Sequence, residues 1–211
     1  MPSIYALKSR FQALLRPAVR GLHAAGATAN QVTVFAALAS IGVAALVLLG
    51  ADAHPAWFLL LPAWLFLRMA LNAVDGMLAR EFGQRSALGG YLNELGDVVA
   101  DAALYLSLLA VPGLRWWTPV ALALLAAWSE LAGVLGPAAG AQRRYDGPMG
   151  KSDRAFVVGA LGLLLAFAWV DARTVEIVLL VACVLCAWTI VNRVRNGLAQ
   201  ARATHPPKQE H

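Results

Sequence analysis

The sequence predicts an all-α, polytopic membrane protein: six transmembrane helices preceded by an amphipathic helix in the membrane interface. Three observations carry this. Of 211 residues, 60% are hydrophobic and 14% charged, against about half and a quarter in soluble domains. The apolar residues gather in six runs, roughly 31–51, 55–75, 91–111, 116–138, 155–171 and 174–193, each near the ~20 residues a bilayer requires. There is no strand-like alternation, and lipid-facing segments must satisfy their own backbone hydrogen bonds, which leaves helices. The runs use most of the chain, so no room remains for a separate soluble domain. The division is an interfacial segment at 1–27, a six-helix domain at 28–200 and a disordered tail at 201–211.

The elements follow in order. Residues 3–25 repeat Ile4, Leu7, Phe11, Leu14, Leu15 and Val19 at helical spacing with cations between them, the pattern of an interfacial helix. Pro17 is expected to bend or interrupt it. This basic segment does not read as a signal peptide, because the first apolar run begins only near residue 31. Thr28 or Asn30 is expected to cap span one. Pro55 opens span two, and Gly89-Gly90 precedes span three. Ser152 or Asp153 is expected to cap span five. Trp57, Trp116, Trp117 and Trp169 sit at run ends as an aromatic belt would. Cys183 and Cys186, one turn apart in span six, read as small packing residues rather than a metal or redox pair.

Lys and Arg set the orientation. Lys8, Arg10, Arg16 and Arg20 precede span one. Arg80 and Arg85 lie between spans two and three, and Arg143, Arg144, Lys151 and Arg154 between four and five. Arg193, Arg195, Arg202 and Lys208 follow span six. Only Arg115 and Arg173 fall on the other side, and Arg68 lies inside span two. Both termini and the loops after spans two and four are therefore expected to be cytoplasmic. The net charge of +5 reads as this bias plus attraction to anionic lipid. No basic face stands apart from a membrane boundary, so nucleic acid is not an expected partner.

The densest chemistry lies in NAVDGMLAREFGQRSALGGYLNELGDVVAD, residues 72–101. Acidic residues are costly near a bilayer, and a cluster of them there marks a functional site. Positions 72, 75, 76 and 79 share one helical face, and 93, 97 and 101 another. Two such faces joined by a short basic loop would hold divalent cations against a phosphate. The loop GPMGKSDRA, with Arg143 and Arg144 before it, is the second candidate. Lys151 and Arg154 are three residues apart and would either together hold a phosphate at a helix start or belong to a positive-inside loop touching lipid headgroups.

Taken as a pattern, the cluster is N-x2-D-G-x2-A-R-x8-G-x3-N-x3-D. It resembles the signature of the CDP-alcohol phosphotransferases, D-x2-D-G-x2-A-R-x8-G-x3-D-x3-D, with every spacing matched and the likeness covering nearly the whole chain. The run RMALNAVDGMLARE further resembles the YnbA-like bacterial branch of that family. The resemblance implies an integral membrane enzyme of the bacterial inner membrane, commonly dimeric. Such enzymes move a substituted phosphate from a CDP-linked donor, commonly CDP-diacylglycerol, to an acceptor hydroxyl and release CMP, using Mg2+ or Mn2+. By position, Asn72, Asp75, Asn93 and Asp97 become the metal-site residues, with Asp97 also the general base. Gly76, Ala79, Arg80 and Gly89 would line the nucleotide, joined by Asn30 and Thr33 from the entry to span one, where Ala29 replaces the family's proline. Arg143, Arg144, Lys151 and Arg154 fall in the region the family uses for anionic acceptors or lipid phosphates. The acceptor expected from them is a phosphorylated polyol such as glycerol 3-phosphate.

Asn72 and Asn93 stand where the family has aspartates, so two formal negative charges are missing. Three readings are open: weaker metal binding that leans on the substrate pyrophosphate, a single metal, or recruitment of Glu94 or Asp101. Asp101 lies about 12 Å beyond Asn93 by helical rise, and Arg68 about 10 Å from Asp75 on the neighbouring span. An Arg68–Asp101 ion pair is thus expected, with Asp101 as a metal ligand the alternative. Glu130, inside span four, is a further candidate partner for Arg68, or else a neutral, protonated acid. Two rival functions stand beside transfer: a non-catalytic lipid- or CDP-lipid-binding member, and a small transporter.

Overall fold

The computed structural model describes residues 4–204, and every regular element among them is a helix. They are α1 (Ile4–Ala24), α2 (Ala29–Gly50), α3 (Leu60–Glu81), α4 (Ala87–Leu106), α5 (Trp117–Val134), α6 (Lys151–Ala166) and α7 (Ala172–Thr204). Each of α2–α7 coincides with one predicted apolar run. Four meet the length and hydropathy of a membrane span: α2, α3 with the 3-10 turn before it (Pro55–Glu81), α5 and α7. The remaining two do not, because α4 carries Glu94, Asp97 and Asp101 and α6 has only 16 residues. Of the six predicted spans, four are thus helices long and apolar enough by themselves, while α4 and α6 pack among them.

Helix α2 packs on α3 and α4, α4 on α5, α5 on α7, α3 on α6, and α1 on α3. The core is filled by Leu61, Leu104, Tyr105, Leu108, Leu122, Val158 and Leu179, with Ala44, Ala126 and both cysteines at the contacts. Small residues let helices approach where lipid supplies no hydrophobic drive. At Gly162, a Cβ would lie 2.9 Å from the Phe58 carbonyl oxygen. The outer surface is apolar, with Phe35, Leu49, Phe66, Trp128, Phe156 and Trp188 all exposed, while Arg68, Asp101, Arg154 and Arg193 are buried. Charge inside and apolar side chains outside is the arrangement lipid requires. The predicted belt tryptophans are exposed and lie in or beside the α2–α3, α4–α5 and α6–α7 connections.

Local signals explain most helix ends. Thr28 caps α2 and forms a capping box with Gln31, the Gln31 N–H donating to Thr28 Oγ1 at 3.2 Å. Ser86 caps α4 through the Gly89 N–H at 2.9 Å. Asp153 accepts the Gly150 N–H at the start of α6. Of the two effects expected at Pro17, interruption does not occur: α1 continues through it. Leu15 and Val19, on either side of it, pack against α3 residues Val74, Met77 and Leu78, and Arg16 pairs with Glu81. Those contacts outweigh the backbone hydrogen bond that Pro17 removes. Helix α7 extends to Thr204, four residues into the stretch expected as a tail; residues 205–211 lie outside the described residues.

Candidate active site

The end of the bundle where α3 meets α4 holds a cavity of about 480 Å3. Asn30 and Thr33 enter it from α2, Asn72, Asp75, Gly76, Ala79 and Arg80 from α3, and Gly89 and Asn93 from α4. Every residue expected to line the nucleotide is therefore in one space, with three of the four expected metal-site residues. Sequence reasoning missed Gln84, Arg85 and Ser86, which also line it. The Gln84 side chain ties the α3–α4 loop to the start of α2, accepting the Ala29 N–H at 2.7 Å. Glycine matters at 89: a Cβ there would stand 2.7 Å from Asn30 Oδ1 and 3.1 Å from Ser86 Oγ. Asp75 accepts a hydrogen bond from Thr33 Oγ1 at 2.9 Å. It is only 6% exposed and has no ion-pair partner among the described residues.

A second cavity of about 430 Å3 adjoins the first, and Asn93 lines both. Asp97, Glu130, Arg143, Lys151 and Arg193 line it. Both oxygens of Asp97 are held: Arg68 Nη2 donates to Oδ1 at 2.9 Å, and Lys151 Nζ meets Oδ2. Arg143 pairs with Glu94 and lies 3.7 Å from Glu130. Arg193 was not singled out from the sequence. A cation in the inner turn of a strongly apolar helix was the available signal.

The basic candidates divide. Lys151 and Arg143 face the second cavity, whereas Arg144 and Arg154 do not. Arg144 forks onto both oxygens of Asp146 at 2.7 Å and donates to Gln200. That pairing holds the Asp146 carboxyl below its usual range. Arg154 is 1% exposed and donates to Glu130 at 2.8 Å, Ser129 Oγ at 3.0 Å and the Met149 carbonyl at 3.1 Å. A phosphate shared by Lys151 and Arg154 is thus not what the geometry offers, since Arg154 is spent inside the core.

Asp101 is 4% exposed and pairs with Arg68 through Oδ1, while Oδ2 lies 3.6 Å from Arg154. Its carboxylate is enclosed by arginines and does not line the first cavity. Glu130, the other candidate partner for Arg68, pairs instead with Arg154 at 2.8 Å and Arg193 at 3.4 Å.

Asp75 with Asn72 and Asn93 offers hard oxygen donors of the kind Mg2+ or Mn2+ takes. Among the described residues no three Asp, Glu, His or Cys side chains converge, which is where the two asparagines tell. The donor set fits a hard divalent cation. Two dications would have to share two carboxylates, one of them already bound to Arg68 and Lys151.

Fold and site together define a helical membrane protein with two adjoining polar cavities at one end of its bundle. Residues 27–190 match the CDP-alcohol phosphatidyltransferase family, and the chain belongs to it. It is accordingly a transferase of substituted phosphate groups. It is 41% identical over 198 residues to the inner membrane protein YnbA of Escherichia coli strain K12, covering 93% of this chain and 96% of that protein. Its fold is similar to the phosphatidylinositol phosphate synthase PgsA1 of Mycobacterium tuberculosis in complex with manganese and citrate. That likeness has a TM-score of 0.73 and 20% identity, and covers 92% of this chain and 91% of the other. The same enzyme with CDP-DAG bound gives a TM-score of 0.71 at 20% identity, covering 92% and 96%.

Proposed function

We propose that the protein transfers the phosphatidyl group of CDP-diacylglycerol to a phosphorylated polyol, glycerol 3-phosphate being the best candidate, and releases CMP. The observation that carries this is the pair of adjoining cavities. One is lined by the nucleotide motif, the other by Asp97 with Lys151, Arg143 and Arg193. A CDP-lipid relative with the same fold supports the donor, and the partly exposed Lys151 and Arg143 at the second cavity support an anionic acceptor. In the mechanism, the diphosphate is received by Arg80, whose guanidinium lies over Gly76, and by the side-chain-free surface at Gly76 and Gly89, where Asn30 and Ser86 also stand. Asp97 accepts the proton of the acceptor hydroxyl, whose oxygen then bonds to the phosphatidyl phosphorus as the bond to CMP breaks. Lys151 and Arg143 hold the acceptor's phosphate. A divalent cation, Mg2+ or Mn2+, held by Asp75, Asn72 and Asn93 beside Asp97, would neutralise the pyrophosphate. Positioning and charge are most of what such transfer requires. The distribution of Lys and Arg supports a site on the cytoplasmic side, with both termini there. Likeness to an inner membrane protein supports that location, and a homodimer is the expected assembly.

The test is direct. Purified protein is incubated with CDP-diacylglycerol, Mg2+ or Mn2+ and a panel of alcohols, and CMP is measured. Release with glycerol 3-phosphate supports the reading; release only with unphosphorylated alcohols moves the acceptor assignment. No release with any alcohol favours a non-catalytic CDP-lipid-binding protein, the reading for which the two asparagines speak.

Two variants test the two cavities separately. Gly89→Ala pushes a methyl group against Asn30, and the KM for CDP-diacylglycerol should rise about tenfold, the effect of losing one hydrogen bond of ~1.4 kcal/mol. Arg143→Met removes a charge-assisted donor worth about 1.5–3 kcal/mol. The KM for glycerol 3-phosphate should rise by about 10- to 100-fold while that for the donor stays near the parent value. The reverse pattern in either variant would exchange the cavity assignments.

A further inference from the structure

We infer that this site holds one divalent cation, centred on Asp75, and that Lys151 with Arg68 supplies on Asp97 the positive charge a second ion would bring. The inference deepens the transferase reading and rests on it for the donor's pyrophosphate.

The two motif carboxylates are in opposite electrostatic situations. Asp97 has a cation on each oxygen, Arg68 on Oδ1 and Lys151 on Oδ2. The other carboxylates of α4 are equally committed, Glu94 to Arg143 and Asp101 to Arg68 and Arg154. Asp75 alone in this cluster has no cationic partner. It is buried, it lines the donor cavity, and its one side-chain hydrogen bond comes from the neutral Thr33 hydroxyl. A buried carboxylate without a counter-charge is costly, and Asn72 and Asn93 beside it bring oxygen donors but no charge of their own. The position therefore calls for a cation that the chain does not provide.

At Asp97 the reverse holds. A second dication would meet Arg68 and Lys151 already in contact with its ligand, and like charges at such separations repel strongly at low dielectric. Arg68 cannot withdraw, because it is 3% exposed and also paired with Asp101. Aspartate at 72 and 93 would have supplied two further charges to offset that repulsion; asparagine does not. Lys151 also lines the acceptor cavity, so one ammonium serves both Asp97 and the acceptor's phosphate.

The test counts ions. The full chain in nanodiscs, saturated with CDP-diacylglycerol and without acceptor, is titrated with Mn2+. Bound ions are counted from the loss of the free Mn2+ resonance, against protein-free nanodiscs as blank. One Mn2+ per chain without spin–spin broadening is expected. Asp75→Asn should weaken binding about tenfold or more, and Lys151→Arg should still hold one ion. Lys151→Met combined with Asn93→Asp should take up two, with spin–spin broadening. Two coupled ions in the parent, undiminished binding in Asp75→Asn, or a single ion in the double variant would each overturn the inference. Absence of CMP release with every alcohol, alongside a count of one, would remove the transferase reading and leave the ion count standing.

Discussion

Asp97→Ala and Asp75→Ala should each lower CMP release by about 10^3-fold or more, the loss expected on removing a base or a preorganised charge from the reacting centre. The bundle should stay folded in both, for different reasons. In Asp97→Ala, Arg68 keeps Asp101 as its partner and the freed Lys151 is partly exposed, so no cation is stranded in the core. In Asp75→Ala no ion pair is broken at all. The removed carboxylate is buried without a counter-charge, so in the absence of divalent cation the melting temperature of the isosteric Asp75→Asn should equal or exceed that of the parent. A position that stabilises the fold when lost and abolishes turnover is held for function rather than for packing. The measurements are CMP release at saturating donor and acceptor, and thermal unfolding in detergent with and without Mn2+. Parent-like activity in either alanine variant would remove that residue from the site.

Much of this site was legible because its residues lie on two consecutive helices at fixed spacing. Asp75, Gly76, Ala79 and Arg80 are on one face of α3, and Gly89 and Asn93 on one face of α4. A helical period applied to the sequence therefore brought them together before any packing was known. Depth was legible for the same reason, and Arg68 and Asp101 meet where helical rise put them. Rotation and neighbour choice were not. Glu130 lies on α5 at a depth open to several arginines, and it pairs with Arg193 because α7 packs on α5 and with Arg154 reaching in from the start of α6, which no local period encodes. Lys151 and Arg154 are separated by packing in the same way. The first residue of α6 reaches the cavity, and the fourth is drawn inward by Ser129 and Glu130. Even so simple a rule as a proline ending a helix gave way at Pro17 to contacts from elsewhere in the chain.

The largest stability effect should come from the Arg68–Asp101 pair. Breaking a buried pair by removing one partner leaves an uncompensated charge and typically costs about 3–5 kcal/mol. Arg68→Leu leaves Asp101 with only the more distant Arg154, and leaves Asp97 with only Lys151. Asp101→Asn leaves Arg68 on Asp97 alone and removes a neighbour of Arg154, so its cost should fall toward the lower end of that range. The double variant Arg68→Leu/Asp101→Asn should cost less than the sum of the two, since neither charge is then stranded by the other's loss, and a double-mutant cycle reads the difference directly. Were Asp101 instead a metal ligand, Asp101→Asn would leave the melting temperature unchanged and reduce activity only at limiting Mg2+. The contacts argue against that, because one oxygen of Asp101 meets Arg68 and the other turns toward Arg154. An unchanged melting temperature in Arg68→Leu, together with a metal-dependent defect in Asp101→Asn, would transfer Asp101 from the frame of the bundle to its chemistry.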